Sequence, residues 1–173
     1  MRLFISGSAP LLAETFVEFE RRTGYAILER YGMTETGMNT SNPLHGLRRA
    51  GTVGLPLPGV VVRVCDADNR ILGVNEVGAL QVRGANVFVG YWNMPEQTAQ
   101  DFTPDGFFNT GDLAVIDDQG YVSIVGRSKD MVISGGLNVY PKEVEALIDA
   151  LPGVLESAVI GVPDPDFGEA VVA

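Results

Sequence analysis

The sequence predicts an α/β fold in three successive stretches. Residues 2–28 alternate strand, helix and strand, which is typical of a βαβ unit with parallel strands. Short β-rich runs separated by Gly, Pro, Asn and Asp follow between residues 51 and 125, and favour an antiparallel sheet or a barrel-like subdomain. A polar break at residues 126–130 then precedes a strand, a helix and another strand, which predicts the start of an α+β unit.

The βαβ unit is built from short, well-punctuated segments. Strand RLFIS (2–6) runs into the turn GSAP (7–10), and apolar residues at helical spacing then predict a helix from Leu11 to Thr23 that ends at Gly24. Residues 25–28 read as the second strand. Because ligand loops lie at the carboxyl ends of parallel strands, we expect Gly7-Ser8 and Tyr31-Gly32 to face one crevice.

The later elements follow from the same rules. Short runs rich in β-forming residues predict strands at 60–64, 80–84 and 121–125. A helix is expected from Pro141, because proline is favoured in the first turn. Its predicted apolar stripe consists of Val144, Leu147, Ile148 and Leu151. Residues 157–162 predict the next strand, and the apolar run at 170–173 resembles one more.

Composition excludes several classes of protein. The 173 residues are 46% hydrophobic and 20% charged, as in an ordinary globular protein, with a net charge of −10 that disfavours a nucleic-acid partner. The single cysteine, Cys65, excludes a disulfide framework and a cysteine zinc cluster. The sequence has no apolar run of the roughly 20 residues that a membrane span requires, so we expect no membrane association and a cytoplasmic location. The oligomeric state is not indicated.

Four motifs carry the chemistry. LERYGMTETGMNTSNP (28–43) offers an aromatic face, a flexible backbone, a hydroxyl and a carboxylate in close succession, as a nucleotide-phosphate site with a metal ion requires. The others are GYWNMPEQT (90–98), TGDL (110–113) and GRSKDMVISGGLNVYPKEVE (126–145). Each motif is weak alone, and their joint occurrence in this order is specific. Tyr91 and Trp92 are interpreted as core or turn packing rather than ligand contacts.

Together these motifs resemble the adenylate-forming acyl-CoA synthetases over essentially the whole chain. The resemblance implies that ATP activates a small carboxylic acid to an acyl-adenylate, after which coenzyme A displaces AMP. It implies ATP/AMP, Mg²⁺ and coenzyme A as cofactors or co-substrates. It also implies three segments: residues 1–126 as the end of a large N-terminal domain, 127–130 as a hinge, and 131–173 as the start of a small C-terminal domain.

The resemblance assigns roles to individual residues. Gly7, Ser8, Ala9 and Pro10 match the loop that lies against adenine, and Tyr31 with Gly32 matches the aromatic position on the other face of the base. Thr34 matches the hydroxyl that binds the α-phosphate, and Glu35 matches the Mg²⁺ ligand. The alternative for Thr34 is a helix N-cap, with Glu35 in the first turn.

Further roles fall in the second half of the chain. Asp112 and Arg127 match the ribose-binding pair, Lys129 the hinge, and Gly135-Gly136 the loop that swings towards coenzyme A. Without the resemblance, Asp112 would be interpreted as a turn residue and Lys129 as a solvated lysine.

Arg30 departs from the usual pattern, because many similar ligases have glycine before that tyrosine. The resemblance implies that this position abuts the acyl pocket, where a guanidinium could hold a second carboxylate in bidentate fashion. The malonyl-CoA synthetase subfamily is similar in this arginine and in the residues that follow it, which favours malonate or methylmalonate. The alternative is that Arg30 pairs with Glu29 or with a surface acid.

The remaining expectations concern the whole enzyme and its alternatives. The family's phosphate-binding loop and catalytic lysine are expected upstream and downstream of the chain, so we expect an inactive fragment of a ligase. Two other functions stay open: a ligase for medium-chain or aryl acids, and a non-catalytic nucleotide-binding relic.

Overall fold

The computed structural model describes residues 3–173, and their contacts divide the chain into two compact units. The first comprises the described residues up to Thr110 together with Ala114–Ile124, and the second comprises Gly111–Leu113 together with Val125–Ala173. The assignment of residues 1–126, 127–130 and 131–173 to a large domain, a hinge and a small domain stays a prediction.

The first unit opens with the expected βαβ element. Strand β1 (Ile5–Ser6), helix α1 (Ala13–Thr23) and strand β2 (Leu28–Met33) follow in order, and the two strands pair in parallel, with Ser6 opposite Glu29. The predicted start of the first strand at Arg2 lies outside the described residues. The position predicted for the second strand, residues 25–28, was wrong. Strand β2 continues through Met33, so Tyr31 and Gly32 lie within a strand rather than in a loop after it.

Strand β2 is longer than predicted because its second half pairs with a strand that follows it. Strand β3 (Gly37–Ser41) returns antiparallel to β2, and β4 (Leu55–Pro56) adds to β3, which gives the order β1-β2-β3-β4. The register of β2 and β3 shifts between Tyr31 and Gly32. The sheet is therefore mixed rather than purely parallel.

A second sheet has the order β5-β6-β7-β8. Its strands are β5 (Val60–Cys65), β6 (Gly78–Gly84), β7 (Phe108–Ile116) and β8 (Val122–Arg127), and helix α2 (Pro95–Asp101) precedes β7. An antiparallel sheet or barrel-like subdomain was predicted from short β-rich runs separated by Gly, Pro, Asn and Asp, and β5 and β6 do pair antiparallel, whereas strand β7 was not recognised. Val64, Leu80, Ala114 and Val122 form a buried cluster in the first unit, and Tyr31 packs against it.

The second unit contains a mixed set of short elements. A 3-10 turn (Ser128–Asp130) is followed by β9 (Val132–Ser134), β10 (Leu137–Val139), α3 (Pro141–Asp149), β11 (Ile160–Asp164) and β12 (Gly168–Val172). The four strands form one sheet in the order β10-β9-β12-β11. The strand predicted at 157–162 begins three residues late, at Ile160, and ends at Asp164.

Helix α3 buries a carboxylate beside the predicted apolar stripe, of which Val144 and Ile148 are half-buried while Leu147 and Leu151 are exposed. Leu147 is 74% exposed, whereas Glu145 is 8% exposed. One oxygen of Glu145 accepts a hydrogen bond from the Val159 backbone N–H at 2.9 Å, and Lys142 Nζ lies 2.5 Å from the other. These two contacts compensate the burial of the charge, and they lower the pKa of Glu145.

Within residues 3–173, none of the helices is long and apolar enough to cross a membrane.

Candidate functional site

The turn after β1 lies directly beside Arg30. An ideal Cβ on Gly7 would lie 3.3 Å from the carbonyl oxygen of Arg30 and 3.4 Å from its Cγ. Gly7 and Arg30 follow the opposed residues Ser6 and Glu29 in the parallel register, so strand pairing itself creates the contact. Ser8 adopts a positive φ of 70°, which is uncommon for a residue with a side chain. The structure thus brings the first predicted loop next to the YGMTE motif.

Arg30 itself is exposed on β2. Among residues 3–173, no carboxylate lies within ion-pair distance of its guanidinium. The predicted alternative of a pair with Glu29 or with a surface acid is therefore wrong for the described part of the chain.

Glu29 turns away from solvent. It is 4% exposed, and burial raises the pKa of its carboxyl, while a hydrogen bond from the Leu11 backbone offsets part of that rise. Its Oε2 atom is buried, with no hydrogen-bond partner in the described chain. Glu29 therefore ties the end of the Gly7–Pro10 turn to strand β2.

Tyr31 and Gly32 occupy the centre of β2. Tyr31 is half-buried against the core cluster, and its hydroxyl lies 3.9 Å from Met33 Sδ. At Gly32 an ideal Cβ would lie 2.1 Å from the carbonyl oxygen of Gly37 on β3. Only glycine allows the two strands to approach this closely, so the closure of the hairpin explains this glycine in YGMTE.

Thr34 and Glu35 lie at the tip of the β2–β3 hairpin. Residues 34–36 form the turn, and the Thr36 N–H donates to the Met33 carbonyl oxygen at 3.2 Å. The alternative in which Thr34 caps a helix is wrong, because β3 begins at Gly37. Thr34 is exposed and Glu35 is half-buried, so a hydroxyl and a carboxylate are presented together.

Two residues to which the sequence analysis gave no part in the site hold this turn. Asn86 Nδ2 donates to the Thr36 carbonyl oxygen at 2.7 Å, and the Tyr91 hydroxyl lies 3.5 Å from Glu35 Oε1. Burial and the neighbouring acids Glu35 and Asp101 raise the pKa of Tyr91. The GYWNMPEQT motif was the available signal. Tyr91 was interpreted only as packing, and Trp92, also interpreted as packing, is 89% exposed.

The second unit carries the other predicted residues. Asp112, on β7, is 5% exposed, and its Oδ1 lies 2.9 Å from Nε of Arg127 at the end of β8. Lys129 is exposed in the 3-10 turn. Thus the proposed ribose pair is in direct contact, while the proposed hinge residue has the surroundings of a solvated lysine.

The glycine pair lies in the tight turn between β9 and β10. Gly135 and Gly136 both have positive φ, 57° and 80°, which favours glycine at each position. The Gly135 N–H donates to the carbonyl oxygen of Phe167 at 2.8 Å, so this turn is anchored to the loop before β12.

Comparison with known proteins identifies the family. The sequence profile described as AMP-binding enzyme matches residues 1–92, more than half of the 173-residue chain. The chain belongs to the AMP-binding enzyme family. This confirms the resemblance to adenylate-forming enzymes inferred from the motifs.

Individual relatives are similar over the whole chain. A malonate–CoA ligase of Arabidopsis thaliana is 45% identical across 100% of the chain, and a long-chain-fatty-acid–CoA ligase of Yersinia pestis is 42% identical across 99%. The crystal structure of ATP-bound MatB from Rhodopseudomonas palustris superimposes with a TM-score of 0.96 at 63% identity over 99% of the chain. The chain spans 28%, 30% and 34% of the lengths of these three proteins, respectively.

Proposed function

We propose that the chain is part of an ATP-dependent acid–CoA ligase that activates malonate or methylmalonate through an acyl-adenylate. The observation that supports this substrate is Arg30, exposed and without an ion pair among residues 3–173, beside the Gly7 turn and Tyr31. A free guanidinium next to a nucleotide site suits a carboxylate that takes no part in the reaction. Fatty and aryl acids lack a second carboxylate to pair with it.

The nucleotide is proposed to lie along the first unit's β1–β2 edge. Gly7, Ser8, Ala9 and Pro10 would pack against one face of adenine and Tyr31 against the other, with Gly32 closing the strand beneath. An aromatic ring supplies buried area and a fixed stacking geometry. Thr34 would donate a hydrogen bond to the α-phosphate from the hairpin tip.

Glu35 is the proposed contact for Mg²⁺. Within the described residues there is no cluster of three or more acidic, histidine or cysteine side chains that could hold a metal. Mg²⁺ in phosphate-transfer sites is usually held by one or two carboxylates together with the substrate's phosphates, so a single half-buried glutamate fits this ion. When bound, the ion would neutralise charge on the phosphates.

The second unit is proposed to complete the enzyme's cycle. Asp112 would accept hydrogen bonds from the ribose hydroxyls, and the contact with Arg127 would orient its carboxylate. Lys129 is proposed to mark the hinge at residues 127–130. Gly135-Gly136 are proposed to border the coenzyme A path in the thioester-forming state.

The chemical requirement is a better leaving group on the acid. A carboxylate is a poor electrophile, and attachment to AMP makes its carbonyl carbon open to attack by a thiol. The contribution of this chain's residues is to bind and orient the acid and the nucleotide, and to stabilise phosphate charge.

A ligase for longer acids is the second candidate, because the Yersinia pestis relative carries that name at 42% identity. The deciding measurement is AMP release by the whole protein that contains this chain, with malonate, methylmalonate, acetate and octanoate. We expect malonate or methylmalonate to be preferred. A rate of AMP release with octanoate equal to or higher than that with malonate would contradict the dicarboxylate assignment.

The variant Arg30→Gly tests the same point within one protein. Hydrogen bonds to charged groups contribute about 1.5–3 kcal/mol, so kcat/KM for malonate should fall about 10- to 100-fold while octanoate use changes little. Arg70→Gly, which removes an exposed arginine in the loop after β5, is the control. Unchanged malonate use in Arg30→Gly would refute the role of Arg30.

The relic hypothesis requires a separate experiment. Calorimetric titration of the 173-residue chain with AMP, combined with the turnover assay, distinguishes a binding protein from an enzyme. Tight AMP binding without turnover of any acid by the whole protein would favour the relic. The cytoplasmic location stays a prediction.

A further inference from the structure

The hairpin tip that presents Thr34 and Glu35 is a three-residue turn between the paired residues Met33 and Gly37. The hydrogen bond within the turn, from the Thr36 N–H to Met33, is 3.2 Å long, and the register of the hairpin shifts only two residues before Met33. A site that must hold a ligand within a fraction of an ångström needs supports outside the turn. Residues 86–91, between β6 and α2, supply them, and we call this segment the strap.

The strap first fixes the backbone on the far side of the turn. Asn86 Nδ2 lies 2.7 Å from the carbonyl oxygen of Thr36, 3.1 Å from Asn39 Oδ1 and 3.3 Å from the carbonyl oxygen of Met38. Thr36 and Asn39 are fully buried. The contacts with Thr36 and Asn39 are partly shielded from water, which reduces its competition for these two acceptors.

The strap next fixes the backbone of Glu35. The Phe88 N–H donates to the Glu35 carbonyl oxygen at 2.7 Å. The Phe88 ring packs edge-on against Phe108, with centroids 5.4 Å apart, and Phe108 is 1% exposed on β7. The donor is thereby anchored in the folded core, so the position of the Glu35 backbone is set by packing.

The last contact reaches the carboxylate of Glu35. The Tyr91 hydroxyl lies 3.5 Å from Glu35 Oε1, while the Tyr91 ring packs edge-on against Phe88 at 4.8 Å and the Tyr91 N–H donates to Thr98 Oγ1 at 2.9 Å. Because both the backbone and the ring of Tyr91 are held, the position of its hydroxyl group is restricted. Asp101 also lies near this hydroxyl. The contact at Oε1 leaves Oε2 of Glu35 for another partner.

We propose that Tyr91 is a positioning residue for Glu35, and that its hydroxyl orients the carboxylate so that the other oxygen receives the divalent cation of the nucleotide. This inference rests on the proposed function, because Glu35 has a cation to receive only if the site binds a metal–nucleotide complex. It goes beyond that function by assigning a task to the GYW segment.

The first experiment measures whether Tyr91 and Glu35 interact, whatever the protein does. Unfolding by urea is compared for the wild type, Tyr91→Phe, Glu35→Ala and the double variant. Tyr91→Phe changes the unfolding equilibrium constant by some factor in each background. We expect this factor to be about 2- to 5-fold smaller in Glu35→Ala than in the wild type. Equal shifts in both backgrounds would overturn the positioning role.

The second experiment measures the dependence of AMP release on Mg²⁺ at saturating ATP and malonate, in the whole protein that contains this chain. We expect Tyr91→Phe to raise the half-saturating Mg²⁺ concentration about 3- to 10-fold, and kcat at saturating Mg²⁺ to return to within about 2-fold of the wild type. The control is Tyr121→Phe, which removes a hydroxyl that donates to the Leu47 carbonyl oxygen at 3.1 Å and should leave the Mg²⁺ dependence unchanged.

The two readouts separate the possible failures. A lower kcat in Tyr91→Phe with an unchanged half-saturating Mg²⁺ concentration indicates a purely structural tyrosine and overturns the inference. An intact coupling between Tyr91 and Glu35 in a protein that turns over no acid overturns the proposed function, and with it the cation role.

Discussion

Replacement of Gly32 by alanine tests whether the closure of the β2–β3 hairpin depends on glycine at this position. The added methyl group would lie 2.1 Å from the Gly37 carbonyl oxygen and 2.8 Å from Met38 Cε. The methionine methyl group can rotate away. The carbonyl oxygen belongs to the backbone of β3 and can move only if the two strands separate, so the steric cost falls on the hairpin itself.

The magnitude follows from two opposing effects. Forced overpacking costs about 1–3 kcal/mol, and alanine recovers about 0.4–1 kcal/mol because it restricts the unfolded chain. A backbone contact this short belongs at the upper end of the first range, so we expect a net loss of about 2 kcal/mol. For a chain of this size that loss lowers Tm by about 4–8 °C.

The assay is thermal and urea unfolding, with Gly126→Ala as the matched control. Gly126 also lies in a strand, and no described atom lies within 4 Å of an ideal Cβ there. The free energy of unfolding of Gly126→Ala should not fall, and we expect it to rise by up to about 1 kcal/mol. If Gly32→Ala proves as stable as Gly126→Ala, the strands do not approach as closely as described and the steric explanation for this glycine is refuted.

Two predictions concern pH. Burial raises the pKa of Glu29, so the folded protein binds more protons than the unfolded one above the ordinary value of 4.5, and stability falls as pH rises through the folded pKa. Glu29→Gln should therefore be more stable than the wild type at about pH 7 and similar to it below about pH 4 in urea unfolding; the same difference at both pH values would contradict this. For Asp105, the Arg63 guanidinium and then the Thr103 hydroxyl lower the pKa from 3.8 to about 2, so its contribution is present above about pH 4 and is lost as pH falls through about 2. Between about pH 2 and pH 4, the free energy of unfolding should fall less steeply with falling pH for Asp105→Asn than for the wild type. Equal slopes for the two proteins would refute the pairing of Asp105 with Arg63.

The sequence grouped the candidate site residues but did not predict their local structure. Tyr31, Thr34 and Glu35 were singled out because aromatic, hydroxyl and carboxylate groups stood together, and the structure places them along one strand and its turn. The strand was misplaced because residues 25–28 are apolar, whereas β2 is fixed by its pairing with β1 and β3. Pairing with distant residues leaves no periodic signal in a short window.

Buried polar residues were the second feature that could not be predicted from the sequence. Val144 and Ile148 of the predicted apolar stripe of α3 are half-buried, but the sequence did not indicate that Glu145 would be more buried than either. Lys142 and the Val159 backbone compensate its charge. Val159 lies 14 residues from Glu145, outside the helix. Only a partner supplied by folding makes such a burial favourable.

By itself, the sequence determined the family, the succession from βαβ unit to β-rich segment to α+β unit, and the end of α1 at Gly24. These features depend on neighbouring residues, through periodicity, turn chemistry and motif spacing. The tertiary structure alone decided that Arg30 is left without an ion pair among the described residues, and that Tyr91 meets Glu35 from 56 positions along the chain. Such contacts form only when distant segments pack together, and the free energy that orders them comes from the buried core rather than from the local sequence.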